Sequence, residues 1–279
     1  MSYKTILVHV DDARNIDARI ELAANLALAE NAHLVGTAMT GISRFLFESA
    51  ASGTGMPSVE PYLKTLRERA QKALNNFESI AQRVGVPSFE KRLADDEAAG
   101  GIALQARYCD LVVLGQYDPD GTASSIYADL PEYVAMNSGC AVLMVPYAPA
   151  VRSIGNRVLI AWNGSSEAAK AVHSAIPLLQ KAKIVEVAVF NSEQAADTHG
   201  QQPGADIALY LARHNIKVNV IEKKADGEVG DALLSLASDL NSDLLVMGCY
   251  GHSRFREVLL GGATRTILQS MTIPVMMSH

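Results

Sequence analysis

One eight-residue pattern occurs twice in this chain. Asp110-Leu111-Val112-Val113-Leu114-Gly115-Gln116-Tyr117 returns as Asp243-Leu244-Leu245-Val246-Met247-Gly248-Cys249-Tyr250. The openings match too, Thr5-Ile6-Leu7-Val8-His9-Val10-Asp11-Asp12 against Arg157-Val158-Leu159-Ile160-Ala161-Trp162-Asn163-Gly164. So do the closings, Cys140 to Val145 against Thr272 to Met277. A fixed pattern used twice means two copies of one folding unit. The 279 residues agree, at roughly 150 residues per domain. We divide the chain at 1–147 and 155–279, with a linker across Pro146 to Asn156 marked by Pro146, Pro149 and Gly155. The first copy carries extra residues in its middle, and Gly41 to Pro61, with Gly53, Gly55 and Pro57, reads as a loop or lid.

Each copy alternates short apolar runs with helical periodicity. In the first, strands are expected at Ile6 to Val10, His33 to Met39, Ser88 to Leu93, Leu111 to Leu114 and Ala141 to Val145. Helices are expected at Asp17 to Glu30, Pro61 to Val84, Glu97 to Tyr108 and Leu130 to Asn137. The second copy repeats the series from Val158 to Met277. Such alternation predicts an α/β fold of two tandem Rossmann-like modules with parallel sheets flanked by helices. Ligands of open parallel sheets bind beyond the carboxyl ends of the strands, where strand order reverses. That points to the residues after Val10, Leu114, Ala161 and Met247.

After the run Leu244 to Met247 comes Gly248-Cys249-Tyr250-Gly251, then nine residues, then Gly261-Gly262 and a helix opening with Ala263-Thr264-Arg265. Glycines permit positive φ and close approach of a ligand to the backbone. The free N–H groups and positive dipole of a helix start suit a phosphate. Thr264 adds a hydroxyl, and Arg254, Arg256 and His252 lie between the glycines. The segment is neither a P-loop nor a GxGxxG turn. On spacing alone, glycines that merely make turns are as good a reading.

The glycine segment, followed by Ile273-Pro274-Val275, resembles the G-x2-G-x9-G-S/T nucleotide signature of the universal stress protein superfamily. Asn163-Gly164-Ser165 with Glu167-Ala168 resembles the turn after that family's first strand. The likeness covers both copies and is stronger in the second. It implies five-stranded parallel sheets of the adenine nucleotide alpha hydrolase-like kind. It also implies ATP, with or without Mg²⁺, and stress resistance as the role. Family members often dimerise through their last strands, so two copies in one chain imply an intrachain pseudo-dimer; a homodimer stays open. Carried over, Gly248, Gly251 and Gly261 match the phosphate loop. Gly262 stands at the Ser/Thr position, and Asn163 where many members have Asp. Trp162, Val189 and Met247 fall in the base pocket, and Ala263 and Thr264 at the helix start. In the first copy Gly115-Gln116-Tyr117-Asp118 lacks the second glycine, and Asp118 and Asp120 would repel phosphate. Asp11 keeps the acidic position.

Charge narrows the partners. With 24 Lys and Arg against 30 Asp and Glu, the net charge is −6. That is not the footprint of a nucleic-acid binder, and no polybasic cluster addresses an anionic membrane. No apolar run approaches the ~18 residues of a membrane span. Cys109, Cys140 and Cys249 form no CxxC pair, which with the absence of a signal-peptide pattern suggests a reducing, cytoplasmic setting.

Other candidates have plainer explanations. Seven histidines show no metal spacing. Strand alternation separates neighbours, which counts against a His9–Asp11–Asp12 metal cluster. Asp95 or Asp96 reads as a helix cap, Asp226-Gly227-Glu228 likewise, and Ser165 as another. Cys249 reads as packing before redox chemistry, and Phe45-Leu46-Phe47 as local cover. The sequence leaves a nucleotide-binding stress protein ahead of a scaffold or sensor that binds partners or another small ligand without ATP. No catalytic residue is assigned, and a slow ATP hydrolase ranks behind both.

Overall fold

The computed structural model describes residues 2–42, 60–120, 129–151, 153–195, 202–250 and 262–279. The expected lid, with Phe45, Leu46 and Phe47, falls largely outside these residues. The chain divides into two compact units, Ser2–Cys140 and Ala141–His279.

In the first unit, β1 (Thr5–His9), β2 (His33–Met39), β3 (Phe89–Ala94) and β4 (Leu111–Gly115) run parallel in the order β3-β2-β1-β4. β1 and β4 are covered on both faces, so Ile6, Leu7, Val8 and Leu111 to Leu114 are all buried. This is why they read as unbroken apolar runs rather than alternating ones. The flanking helices are α1 (Ile16–Glu30), α2 (Glu60–Val84), α3 (Ala98–Ala106) and α4 (Leu130–Asn137). α1 turns its Ile20, Ala23, Ala24 and Ala27 stripe inward. Phe77 of α2 lies over Gly36 of β2 and meets Phe89 edge to face, with ring centroids 6.0 Å apart.

The second unit holds β5 (Ala141–Val145), β6 (Arg157–Ala161), β7 (Ile184–Phe190), β8 (Asn219–Lys223), β9 (Leu244–Gly248) and β10 (Val275–Ser278), ordered β5-β10-β9-β6-β7-β8. All pairings from β10 to β8 are parallel. β5, the closing strand of the first repeat, pairs antiparallel with β10, Met144 facing Val275 and Val142 facing Met277. The helices are α5 (Ser166–Leu179), α6 (Ala205–Arg213), α7 (Val229–Asp239) and α8 (Ala263–Ser270).

Strand order reverses between β1 and β4 in the first unit and between β6 and β9 in the second, while the strands stay parallel. Those two crevices are where a doubly wound sheet takes a ligand. Among the described residues, no helix is long and apolar enough to cross a membrane.

Candidate functional site

In the second unit, β6 and β9 end side by side, with Ala161 facing Met247. Trp162 follows β6, half-buried, its N–H donating to Ala188 O at 2.9 Å. This fixes Trp162 beside Val189, which is fully buried in β7. Asn163 comes next and is exposed. Its Oδ1 accepts the Ser165 N–H at 3.1 Å, an Asx turn in which the amide N–H₂ group takes no part. Ser165 Oγ then accepts the Ala168 N–H at 3.1 Å and caps α5, as its sequence position suggests.

Gly248 closes β9 against the first turn of α5. A Cβ at this position would lie 2.5 Å from Ala168 N and 2.7 Å from the Glu167 carbonyl carbon. The glycine is therefore required by helix–strand packing. Past it, Cys249 is buried, and Tyr250 takes the left-handed conformation at φ 55°. The chain end grips this segment: Cys249 N–H donates to Ser278 O at 2.9 Å, and His279 Nδ1 lies 3.1 Å from Cys249 O. Lys170 Nζ donates to His279 O at 3.2 Å.

Thus Trp162, Asn163, Val189, Met247 and Gly248 meet at the rim of β6, β7 and β9. Gly251 and Gly261, with His252, Arg254 and Arg256, lie outside the described residues. Gly262, Ala263 and Thr264 form the start of α8, with Thr264 buried. Gly262 is the N-cap and has no side chain to offer the first turn. α7 packs against this turn: a Cβ on Gly230 would come 2.7 Å from Thr266 Cβ and 3.1 Å from Ala263 O.

Glu167 belongs to the same rim, and the sequence showed it only as part of the turn. Burial raises its carboxyl pKa, but a backbone N–H, the Ser166 and Ser165 hydroxyls and His279 outweigh that and hold it below the usual carboxylate range. Its Oε2 is buried without a hydrogen-bond partner.

The equivalent rim of the first unit is built from charges. His9 and Asp11 sit two apart and share a side, with His9 Nδ1 3.5 Å from Asp11 Oδ2. Alternation therefore brings these two together and separates only nearest neighbours. Arg19 reaches down from α1, almost wholly buried, and hydrogen-bonds Asp11 Oδ1. Asp11 Oδ1 also accepts the Ala13 N–H at 3.0 Å. Burial raises the Asp11 pKa, yet the Arg19 and His9 charges and these hydrogen bonds bring it below the usual value. Burial depresses His9 to about 4, with Asp11 opposing and Arg19 assisting. Among the described residues, no group of three or more His, Cys, Asp or Glu side chains is placed to hold a metal. Neither Asp95 nor Asp96 caps α3 as expected. Asp95 pairs with Arg67, and Glu97 accepts the Gly100 N–H at 2.7 Å.

The sequence profile of the universal stress protein family matches residues 2–146 and again residues 155–279. A universal stress protein of Synechocystis sp. is 28% identical over 122 residues, covering 43% of this chain and 41% of the relative. The crystal structure of a universal stress protein from Archaeoglobus fulgidus superposes with a TM-score of 0.72 at 17% identity, covering 98% of this chain and 94% of that one. A functionally unknown protein from Pseudomonas aeruginosa superposes at 0.61, also at 17% identity, over 98% and 92% of the two chains.

Proposed function

Because the chain belongs to the universal stress protein family through both of its repeats, we propose that it is a stress-response protein that binds one adenine nucleotide, ATP, in its second repeat. The observation that carries this reading is the start of α8. Gly262 supplies no capping side chain, and the Arg265 and Thr266 N–H groups turn back to Gly262 O, so the Ala263 and Thr264 N–H groups and the helix dipole support a phosphate contact. The exposed Asn163 and half-buried Trp162 support a base or ribose contact beside it. These residues fit a nucleotide. Mg²⁺ enters only as the counter-ion the nucleotide carries, and no chemical step is assigned to the protein.

A second reading, a scaffold or sensor without ATP, is favoured by one feature. Gly262 lacks the hydroxyl that the family signature places there. We keep residues 1–147 and 155–279 as two modules. The antiparallel β5–β10 pair supports an intrachain pseudo-dimer, and three free cysteines support a reducing compartment.

Titration calorimetry of nucleotide-free protein with ATP and Mg²⁺ decides between the readings. One site per chain is expected, lost in Gly251→Val and weakened in Asn163→Ala. Absence of heat with the wild type would sink the nucleotide reading in favour of the scaffold.

A further inference from the structure

We infer that Arg19 seals the first repeat, so that its crevice, unlike that of the second, does not admit a nucleoside. The inference rests on the reading of the second crevice as a nucleotide site. The two rims can be compared position by position. Asp11 corresponds to Asn163, and eight residues on Arg19 corresponds to Ala171. Acid and base are thus present together in one repeat and absent together in the other. Among the described residues, the Asn163 side chain bonds locally, to the Ser165 N–H, and the residue is exposed. Asp11 is instead occupied three ways, by the Arg19 guanidinium, the Ala13 N–H and His9.

The volume is taken as well as the charge. The direction a Cβ would take from Gly115 runs directly into Arg19 Nη1, whereas at the matching Gly248 it runs into the backbone of α5. In the second repeat the glycine serves packing, and the position matching Arg19 is Ala171, a small buried residue that sends no long charged side chain toward Asn163. In the first, a long guanidinium fills the crevice between β1 and β4. Arg19 Nε is buried with no hydrogen-bond partner, which is the cost of placing an arginine there. Two further ion pairs, Arg69–Asp12 and Arg67–Asp95, tie α2 to the ends of β1 and β3 at the same rim. Arg19 is in this sense the residue that decides which repeat is occupied.

The probe is 8-azidoadenosine, which carries no phosphate and so does not depend on the second glycine that the first repeat lacks. Photolabelled wild-type protein is digested and its labelled peptides are mapped. Label in the second repeat alone is expected; label on first-repeat peptides containing Asp11 or Gly115 overturns the inference. The Asp11→Asn/Arg19→Ala double variant installs the second repeat's pair and leaves no unpaired charge. It is expected to gain first-repeat label at least tenfold, while Asp11→Asn/Arg19→Met, neutral but bulky, is not. No gain in a folded Asp11→Asn/Arg19→Ala protein, judged by its circular dichroism, overturns the inference. If that variant does not fold, the wild-type map still decides. Loss of second-repeat label in the wild type, with first-repeat label appearing in the double variant, would remove the nucleotide reading and leave the seal intact.

Discussion

Asp243 and Arg157 hold each other through both backbone and side chain. Arg157 N–H donates to Asp243 Oδ1 at 3.1 Å, and Asp243 N–H donates to Arg157 O at 2.9 Å. The same carboxylate also accepts the Gly155 and Asn156 N–H groups at 3.0 and 2.9 Å. Asp110 does the same in the first repeat, accepting the N–H groups of Lys4 and Thr5 at 2.6 and 2.9 Å. Each aspartate therefore clamps the start of its repeat's first strand to the start of its fourth. Hydrogen bonds to a charged acceptor contribute about 1.5–3 kcal/mol each. Asp243→Ala is expected to lose about 2–4 kcal/mol of unfolding free energy in urea, since some N–H groups regain water. A loss below 0.5 kcal/mol would show the clamp to be incidental.

Gly36 makes room for Phe77. A Cβ there would sit 2.6 Å from two atoms of the ring, and Phe77 is fully buried. Overpacking of this kind costs about 1–3 kcal/mol. Gly36→Ala is expected to fall in that range, and Gly36→Ala/Phe77→Leu to recover part of the loss measured against Phe77→Leu alone. Additive costs in this cycle would mean that the two positions do not compete for space.

The elements were legible because two physical signals agree along the chain. Buried central strands such as Leu111 to Leu114 are unbroken apolar runs, and α1 has a 3.6-residue stripe. In the second repeat, Asn163 and Gly248 could be placed at strand ends because a turn between strand and helix constrains residue type; Gly251 and Gly261 lie outside the described residues. The first rim was not legible. Asp11 and Arg19 meet because α1 lies across β1 and β4, and periodicity says nothing about a charged residue pointing inward from an apolar stripe. Arg19 flanking Ile20 was the only trace. The helix cap misled for a similar reason: Asp is the better N-cap by propensity, but Arg67, remote in sequence, takes Asp95, and the helix starts at Ala98, leaving Glu97 as the cap.

His9 should give the protein a measurable acid sensitivity. Its folded pKa of about 4 lies below the ordinary value of about 6.5. Between these two values the unfolded chain binds the extra proton and the folded one does not, so stability falls as pH drops through this window. Two and a half units correspond to about 3.4 kcal/mol at most. Asp11, held below its usual value, adds a further loss in the same direction at lower pH. His9→Gln is expected to flatten unfolding free energy against pH between about 6.5 and 4. An unchanged slope would mean that the imidazole is not buried in its neutral form.

Gly248 joins stability and binding, and two glycines separate the effects. At Gly248 a methyl group would meet backbone atoms, Ala168 N at 2.5 Å and the Glu167 carbonyl carbon at 2.7 Å, and backbone in a capped helix turn cannot swing aside. The end of β9 must then move away from α5. Gly248→Ala is expected to cost about 1–3 kcal/mol. The movement also displaces the strand end from the turn holding Asn163, so ATP affinity should weaken at least tenfold, or about 1.4 kcal/mol. Gly227 is the control, because a methyl group there meets nothing within 4 Å. Gly227→Ala should leave affinity unchanged and alter stability by under about 1 kcal/mol. Calorimetric titration and urea unfolding on both variants give the answer. Wild-type affinity in a destabilised Gly248→Ala protein would separate the packing of α5 from the ligand, and would move the nucleotide away from the end of β9.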